Sequence, residues 1–146
     1  MKLPVVALAA FAATLVFAAP AAAQPAIIRT QLDSAVVLMG NNGFRLQDDI
    51  VSGDLRTGGN EDFQLELEGG KRYIIMGVCD GDCTDLDMAL TTAAGADVDS
   101  DFEDDDVPMV MVEVERGGTY NLKVRMAACS VEPCAFGVGV FADGGE

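Results

Sequence analysis

The chain changes its hydrophobic period near residue 62. Before that point, apolar side chains recur at intervals of three and four positions, at Ile28, Leu32, Val36 and Met39. This spacing places them on one face of a helix, and Gly40 directly after the last of them is a typical stop signal. The pattern predicts one short amphipathic helix within residues 25–44.

The next stretch, residues 45–62, reads RLQDDIVSGDLRTGGNED and has no sustained period. Glycine and aspartate are frequent in it, and these residues favour turns and loops over regular elements. We therefore predict a linker that contains at most a short strand over residues 50–55.

From Phe63 onward, apolar positions alternate with polar ones or form short apolar runs. The segments are FQLELE, RYIIMGVC, DLDMALTT, MVMVEVE, TYNLKVRM and AFGVGVFA, with glycine-rich or acidic connections between them. Short strands separated by such turns, without a second helical segment, are typical of an antiparallel β-sandwich. The prediction is an all-β fold over residues 61–146, preceded by one short N-terminal helix.

The segment DLDMAL shows how the strand pattern positions polar groups. Leu86, Met88 and Leu90 lie on one face of a strand, and Asp85 and Asp87 lie on the other, because successive side chains of a strand point to opposite faces. We expect the three apolar side chains in the core and the two carboxylates on the outer face.

Residues 1–23 precede this pattern. They combine Lys2 with a long alanine-rich apolar stretch, and they end in three alanines before Gln24. This arrangement predicts a signal peptide that is cleaved before Gln24; an uncleaved membrane anchor is the alternative. The expected organisation is a signal peptide over 1–23, a helix and linker over 24–60, and the sandwich over 61–146.

The net charge of the chain and its predicted compartment limit the classes of molecule that can be its partner. The sequence holds 24 acidic against 9 basic side chains, a net charge of −15, which repels nucleic acid and anionic lipid and favours cations or basic surfaces. Export places the protein in the periplasm or outside the cell. We expect no membrane insertion after cleavage, no nucleic-acid partner, and an unidentified protein or polysaccharide as the partner.

Four cysteines in an exported chain predict two disulfides: Cys79, Cys83, Cys129 and Cys134. Their spacing favours two local pairs within tight turns. Cross-pairing would close loops of about fifty residues, and each such disulfide would stabilise the fold by roughly 4 kcal/mol, against about 2 kcal/mol for a local pair. Cross-pairing therefore remains an alternative. Zinc bound by the four thiolates is the competing interpretation, which an oxidising compartment disfavours.

The order of these strands carries a family resemblance. DFQLELEGG, the tyrosine strand, DLDMAL, the acidic link DVDSDFEDDD and GGTYNLKV together resemble the bacterial pre-peptidase C-terminal domain, over about Asp62 to Val140. The resemblance implies a small jelly-roll-like β-sandwich that is not itself catalytic. Such domains accompany secreted peptidases, and some relatives bind calcium or polymeric substrates. The CDGDC and CSVEPC segments depart from the family pattern, and we expect a stand-alone exported form.

The residue inventory disfavours catalysis. The sequence has no histidine, so Ser-His-Asp, Cys-His and histidine-based metal sites are unavailable. The cysteines are predicted to be oxidised, and no serine lies in a G-x-S-x-G segment. The prediction is a non-enzymatic binding or stabilising module. A hydrolase that uses paired carboxylates remains the weaker alternative.

Aspartates cluster in two segments that the predicted strands bring near each other. Calcium takes six to eight oxygen ligands, and the candidate ligands are Asp80, Asp82, Asp85, Asp87, Asp97, Asp99 and Asp101. The spacing does not match an EF-hand loop. The competing interpretation is that these side chains accept bonds from backbone amides and prevent sheet edges from pairing. If calcium binds, a calcium-dependent adhesion or matrix protein is the alternative function; no other cofactor is expected.

Overall fold

The computed structural model describes residues 23–144 and contains one helix and eight strands. The elements are α1 (Ala23–Asn41), β1 (Phe44–Leu55), β2 (Asn60–Leu67), β3 (Lys71–Cys79), β4 (Cys83–Thr92), β5 (Asp97–Asp101), β6 (Met109–Val114), β7 (Gly118–Cys129) and β8 (Cys134–Asp143). The predicted all-β fold with one short N-terminal helix is confirmed.

The strands form two four-stranded antiparallel sheets. Sheet A has the order β1-β8-β3-β6, and sheet B has the order β2-β7-β4-β5. Successive strands alternate between the sheets, except for the hairpin of β4 and β5. This connectivity is that of a jelly roll, the arrangement that the family resemblance implied.

The main core lies between the two sheets. Leu86, Met88 and Leu90 are fully buried there, as the alternation in DLDMAL predicted. Phe136 of β8 meets Phe63 of β2 edge to face, with ring centroids 6.2 Å apart. Because alternate residues of each strand point inward, each strand contributes a few apolar side chains to the core.

Helix α1 covers the outer face of sheet A. Its buried residues contact β3 and β8; they are Ile28, Leu32, Ala35 and Met39. Val36, which the sequence pattern assigned to the buried face, is 36% exposed. At 3.6 residues per turn, position 35 stays in line with positions 28, 32 and 39, whereas position 36 has rotated to the flank. The helix also explains why β8 is apolar on both faces.

The region between helix and sandwich differs from its prediction. The strand β1 covers Phe44–Leu55, twice the predicted residues 50–55, and it pairs with β8 as an edge of sheet A. The sandwich therefore begins before residue 61. The pairing shifts register between Leu46 and Asp48 and again between Val51 and Asp54. Each irregularity interrupts the two-residue period, so the alternation that identifies a strand is broken in the sequence.

The predicted signal peptide lies outside the described residues, apart from Ala23, which begins α1. Within residues 23–144, no helix is long and apolar enough to cross a membrane.

Candidate functional site

The cysteines form the two local disulfides, Cys79–Cys83 and Cys129–Cys134, each with a Cα–Cα distance of 5.9 Å. Cross-pairing and zinc binding by four thiolates are therefore wrong for this structure, because every thiol is part of a bridge. The local pairs form because β3 runs into β4, and β7 into β8, through short turns. Two disulfides fit a location outside the cytoplasm.

The two disulfide loops lie side by side at one end of the sandwich. Cys83 is directly opposite Cys129 in the pairing of β4 with β7. The Ser130 N–H and hydroxyl both donate to the Asp82 carbonyl, at 2.7 and 2.9 Å. We call residues 79–83 together with 129–135 the disulfide end. The loops are thus joined to each other as well as closed on themselves.

Asp80 holds the disulfide end together from inside. Its side chain is buried, with 4% of the residue exposed. One carboxylate oxygen accepts the N–H groups of Asp82 and Cys83, both at 3.2 Å, and the other accepts the Ala135 N–H at 2.7 Å. Hydrogen bonds to a charged acceptor are stronger than neutral ones. Both oxygens are engaged by the backbone, so Asp80 acts as a structural anion.

Two further candidate ligands connect the sheets. Asp99 accepts the Met111 N–H at 2.7 Å, and Asp101 accepts the Met109 N–H at 2.8 Å. Their strand β5 is an edge of sheet B, and β6 is an edge of sheet A. The carboxylates therefore cover backbone donors of a sheet edge, which is the competing interpretation that the sequence left open.

Asp87 and Asp85 lie on β4 in different environments. Asp87 points to the outer face, as predicted, but Arg125 covers it: the guanidinium Nη1 donates to the carboxylate at 2.8 Å, and Asp87 is 7% exposed. Asp85 is half-buried, and its Oδ1 has no hydrogen-bond partner among the described residues. Burial raises the pKa of Asp85, the carboxylates of Asp87 and Asp104 raise it further, and Arg125 opposes them.

The seven candidate ligands are thus spread over three places. Asp80 and Asp82 lie at the disulfide end, Asp85 and Asp87 on β4, and Asp97, Asp99 and Asp101 on β5. Within residues 23–144, no three acidic side chains are arranged to hold a metal ion. Calcium binding stays a prediction. Asp87, Asp104 and Asp105 are close enough to Asp85 for their charges to raise its pKa.

Replacing Asp85 with asparagine is expected to raise the melting temperature at pH 7 and to change it little at pH 3. A carboxyl group with a raised pKa in the fold stabilises the fold below its ordinary value of 3.8, and this stability is lost as the pH rises through the raised pKa. Asparagine stays neutral and avoids that loss. Thermal denaturation at both pH values measures the difference.

The control for this prediction is Asp97→Asn, which removes the same charge from an exposed position. It corrects for the general relief of repulsion in a chain of net charge −15. Equal melting temperatures of the two variants at pH 7 would contradict the assigned environment of Asp85.

A cleft opens on the side of the sandwich where β1 and β2 form the edges. Its volume is about 550 Å³, within the range of ligand sites. Phe63, Leu65, Leu67, Tyr73 and Val140 contribute its apolar part, and Gln47, Asp48, Gln64, Glu66 and Glu68 contribute its polar part. The sequence did not indicate this cleft, because its apolar residues follow the same alternation as core residues.

The chain matches no known protein-family model, and no curated protein matches it significantly. The resemblance to the pre-peptidase C-terminal domain therefore stays a prediction.

Proposed function

We propose that the protein is an exported, non-catalytic binding module that presents the cleft between β1 and β2 to a partner in the periplasm or outside the cell. The cleft carries this proposal, since it is a concave, partly apolar opening lined by both apolar and polar residues. The sequence supports the absence of catalysis, because it has no histidine and all its cysteines are paired. The family resemblance points in the same direction.

The parts of the sandwich around the cleft are held in place by covalent and hydrogen bonds, which favours binding with little rearrangement. Two disulfides and the bonds between their loops constrain one end of the sandwich. On the side opposite the cleft, Asp99 and Asp101 connect the two sheets. A site that is already ordered loses less conformational entropy when a partner binds. The negative charge favours a partner with a basic surface.

The proposal is tested by capture from the exported fraction. Residues 24–146 are immobilised and exposed to that fraction, and the bound material is eluted with free protein. We expect a component that free protein releases and that polyaspartate at equal charge concentration does not. Release by both competitors to the same extent would mean that charge alone causes the retention, and it would contradict the proposal.

A calcium-dependent adhesion or matrix protein is the second candidate, favoured by the unpartnered Oδ1 of Asp85 beside Asp104 and Asp105. For an extracellular site with a dissociation constant of about 1 mM, 10 mM calcium would stabilise the fold by roughly 1.4 kcal/mol. The expected result is a higher melting temperature in calcium than in magnesium at constant ionic strength, and loss of this difference in Asp85→Asn. Identical curves with and without calcium would remove this candidate.

A further inference from the structure

The sandwich has four edge strands, and three of them are protected against pairing with another chain. β1 is interrupted by two register shifts, and irregular edges pair poorly with a new strand. The edges β5 and β6 are joined through the carboxylates of Asp99 and Asp101. In contrast, β2 pairs with β7 through all eight of its residues, Asn60–Leu67, without a shift. Among the strands that the structure describes, β2 is the edge with regular geometry.

The hydrogen bonds beside β2 show which of its backbone groups face outward. Met126 N–H donates to the Gly59 carbonyl at 2.9 Å, and these residues continue the pairing of β2 with β7. Because antiparallel pairs alternate between bonded and non-bonded types, odd-numbered residues of β2 direct their N–H groups to β7. The N–H groups of Asp62, Gln64 and Glu66 therefore point away from β7, toward the space that an added strand would occupy.

The side chains of β2 show what such a strand would contain. Phe63, Leu65 and Leu67 point between the sheets and line the cleft together with Tyr73 and Val140. A strand added beside β2 has the same pleat, so every second side chain enters the cleft. Those positions fit apolar residues.

The remaining side chains of the added strand meet negative charge. These side chains lie beside the outward residues of β2, of which Asp62 and Glu66 are charged; Asp62 pairs with Lys123 at 3.6 Å. The charged residues that line the cleft are also acidic: Asp48, Glu66 and Glu68. Lys71 pairs with Glu68, and the Thr119 hydroxyl donates to Glu66 at 2.6 Å, which leaves the lining negative overall. A second copy of this chain would bring its own carboxylates against these, and like charges on adjacent strands are destabilising. A basic strand fits instead.

We propose that β2 is the docking edge for an extended basic segment of another protein, which adds to sheet B as a fifth strand. Its apolar residues, at alternate positions, enter the cleft between β1 and β2, and its lysine or arginine residues lie on the outer face of sheet B beside Asp62 and Glu66. Main-chain hydrogen bonds supply affinity in this mode of recognition, and the alternating pockets supply specificity. This inference rests on the proposed binding function and adds the chemistry of the partner.

The probe is a fluorescent peptide, Lys-Val-Lys-Val-Lys-Val-Lys, titrated with the protein at about 0.15 M ionic strength, where charges beyond ~8 Å are screened. We expect saturable binding. Two matched peptides test the two parts of the proposal: one has glutamate in place of lysine, and one carries N-methyl groups on both the lysine and the valine backbone amides, so that the donors are removed whichever direction the added strand runs. Both should bind at least tenfold more weakly, because the first reverses the charge and the second removes strand donors.

Gln64 offers matched variants of the protein, since its side chain is exposed on β2. Lysine at this position should weaken binding of the basic peptide about threefold, and glutamate should strengthen it by a similar factor, as expected for cross-strand charges. Gln64→Pro removes an outward N–H and should weaken binding tenfold or more; proline is tolerated on the free side of an edge strand. Ala94→Lys, on the exposed turn between β4 and β5, adds the same charge elsewhere and should change binding less than twofold.

Several outcomes would overturn the proposal. They are no binding of the basic peptide at 1 mM, equal binding of the N-methylated peptide, or equal effects of Gln64→Lys and Ala94→Lys. If Gln64→Pro fails to fold, Gln64→Lys and Gln64→Glu still test the proposal. If the component captured from the exported fraction binds Gln64→Pro as well as it binds the wild type, β2 is not the site, although the binding function stands.

Discussion

Replacing Asp80 with alanine is expected to lower the free energy of unfolding by about 3 kcal/mol. The variant loses the side-chain acceptor of three N–H groups, those of Asp82, Cys83 and Ala135. The Cys83 N–H keeps the Asp80 backbone carbonyl, at 3.2 Å, as its acceptor. The Ala135 N–H is left in buried surroundings, where an unsatisfied donor costs the free energy of its lost hydration. Urea denaturation followed by circular dichroism measures the change.

The neighbouring Asp82 provides the control. The residue is half-buried, and the contacts described for it use its backbone N–H and carbonyl. Asp82→Ala should therefore cost less than about 1 kcal/mol, as do most substitutions away from such bonded groups. Asp80→Asn should fall between the two alanine variants, because the amide keeps one acceptor oxygen. Equal costs for Asp80→Ala and Asp82→Ala would contradict the structural role of the buried carboxylate.

The sequence allowed correct predictions where a residue pattern is compatible with only one structural arrangement. Alternation in DLDMAL placed Leu86, Met88 and Leu90 inward, because a strand with one buried face allows no other arrangement. The spacing of the cysteines favoured local pairs, which the structure contains. The jelly-roll order came from the family resemblance and from no local feature of the chain.

The features that the sequence missed depend on partners distant along the chain. The strand β1 is identified by its pairing with β8, since its register shifts hide the alternation. The cleft exists because β1 and β2 belong to different sheets. Its apolar residues have the same pattern whether a neighbouring strand covers them or not.

The aspartates show the same limit at a single position. A carboxylate at Asp80 is equally suited, from its residue type, to a calcium ion or to backbone N–H groups. Only the approach of Ala135, which is 55 positions away, shows that the backbone occupies both oxygens. Asp99 and Asp101 are comparable, because their acceptors meet N–H groups of the other sheet.

Removing both disulfides is expected to destabilise the fold by about 4 kcal/mol or more, a large part of the 5–15 kcal/mol of a typical domain. Each local loop contributes about 2 kcal/mol by restricting the unfolded chain. The two pairs are replaced by alanine separately and together, and the three variants are compared with the wild type by urea denaturation.

The two losses are expected to be non-additive, because the disulfide end is a single hydrogen-bonded unit. Opening the Cys79–Cys83 loop frees Asp80 and Asp82, whose bonds to Ala135 and Ser130 hold the other loop. The bonds between the loops are then lost with the first bridge and cannot be lost again with the second. The combined cost should therefore be about 1 kcal/mol smaller than the sum of the separate costs, within the range for residues of one network.

Asp80→Ala distinguishes this coupling from an effect on the unfolded chain. If the coupling passes through the buried carboxylate, the same comparison made in the Asp80→Ala background should give a smaller non-additivity; the part that remains belongs to the Ser130 bonds to the Asp82 carbonyl, which this variant keeps. If it arises from the unfolded state, where the disulfides restrict the chain independently of Asp80, the non-additivity should persist unchanged. Additive costs in the wild-type background would show that the loops are stabilised independently, in spite of the bonds that Asp80 and Ser130 form between them.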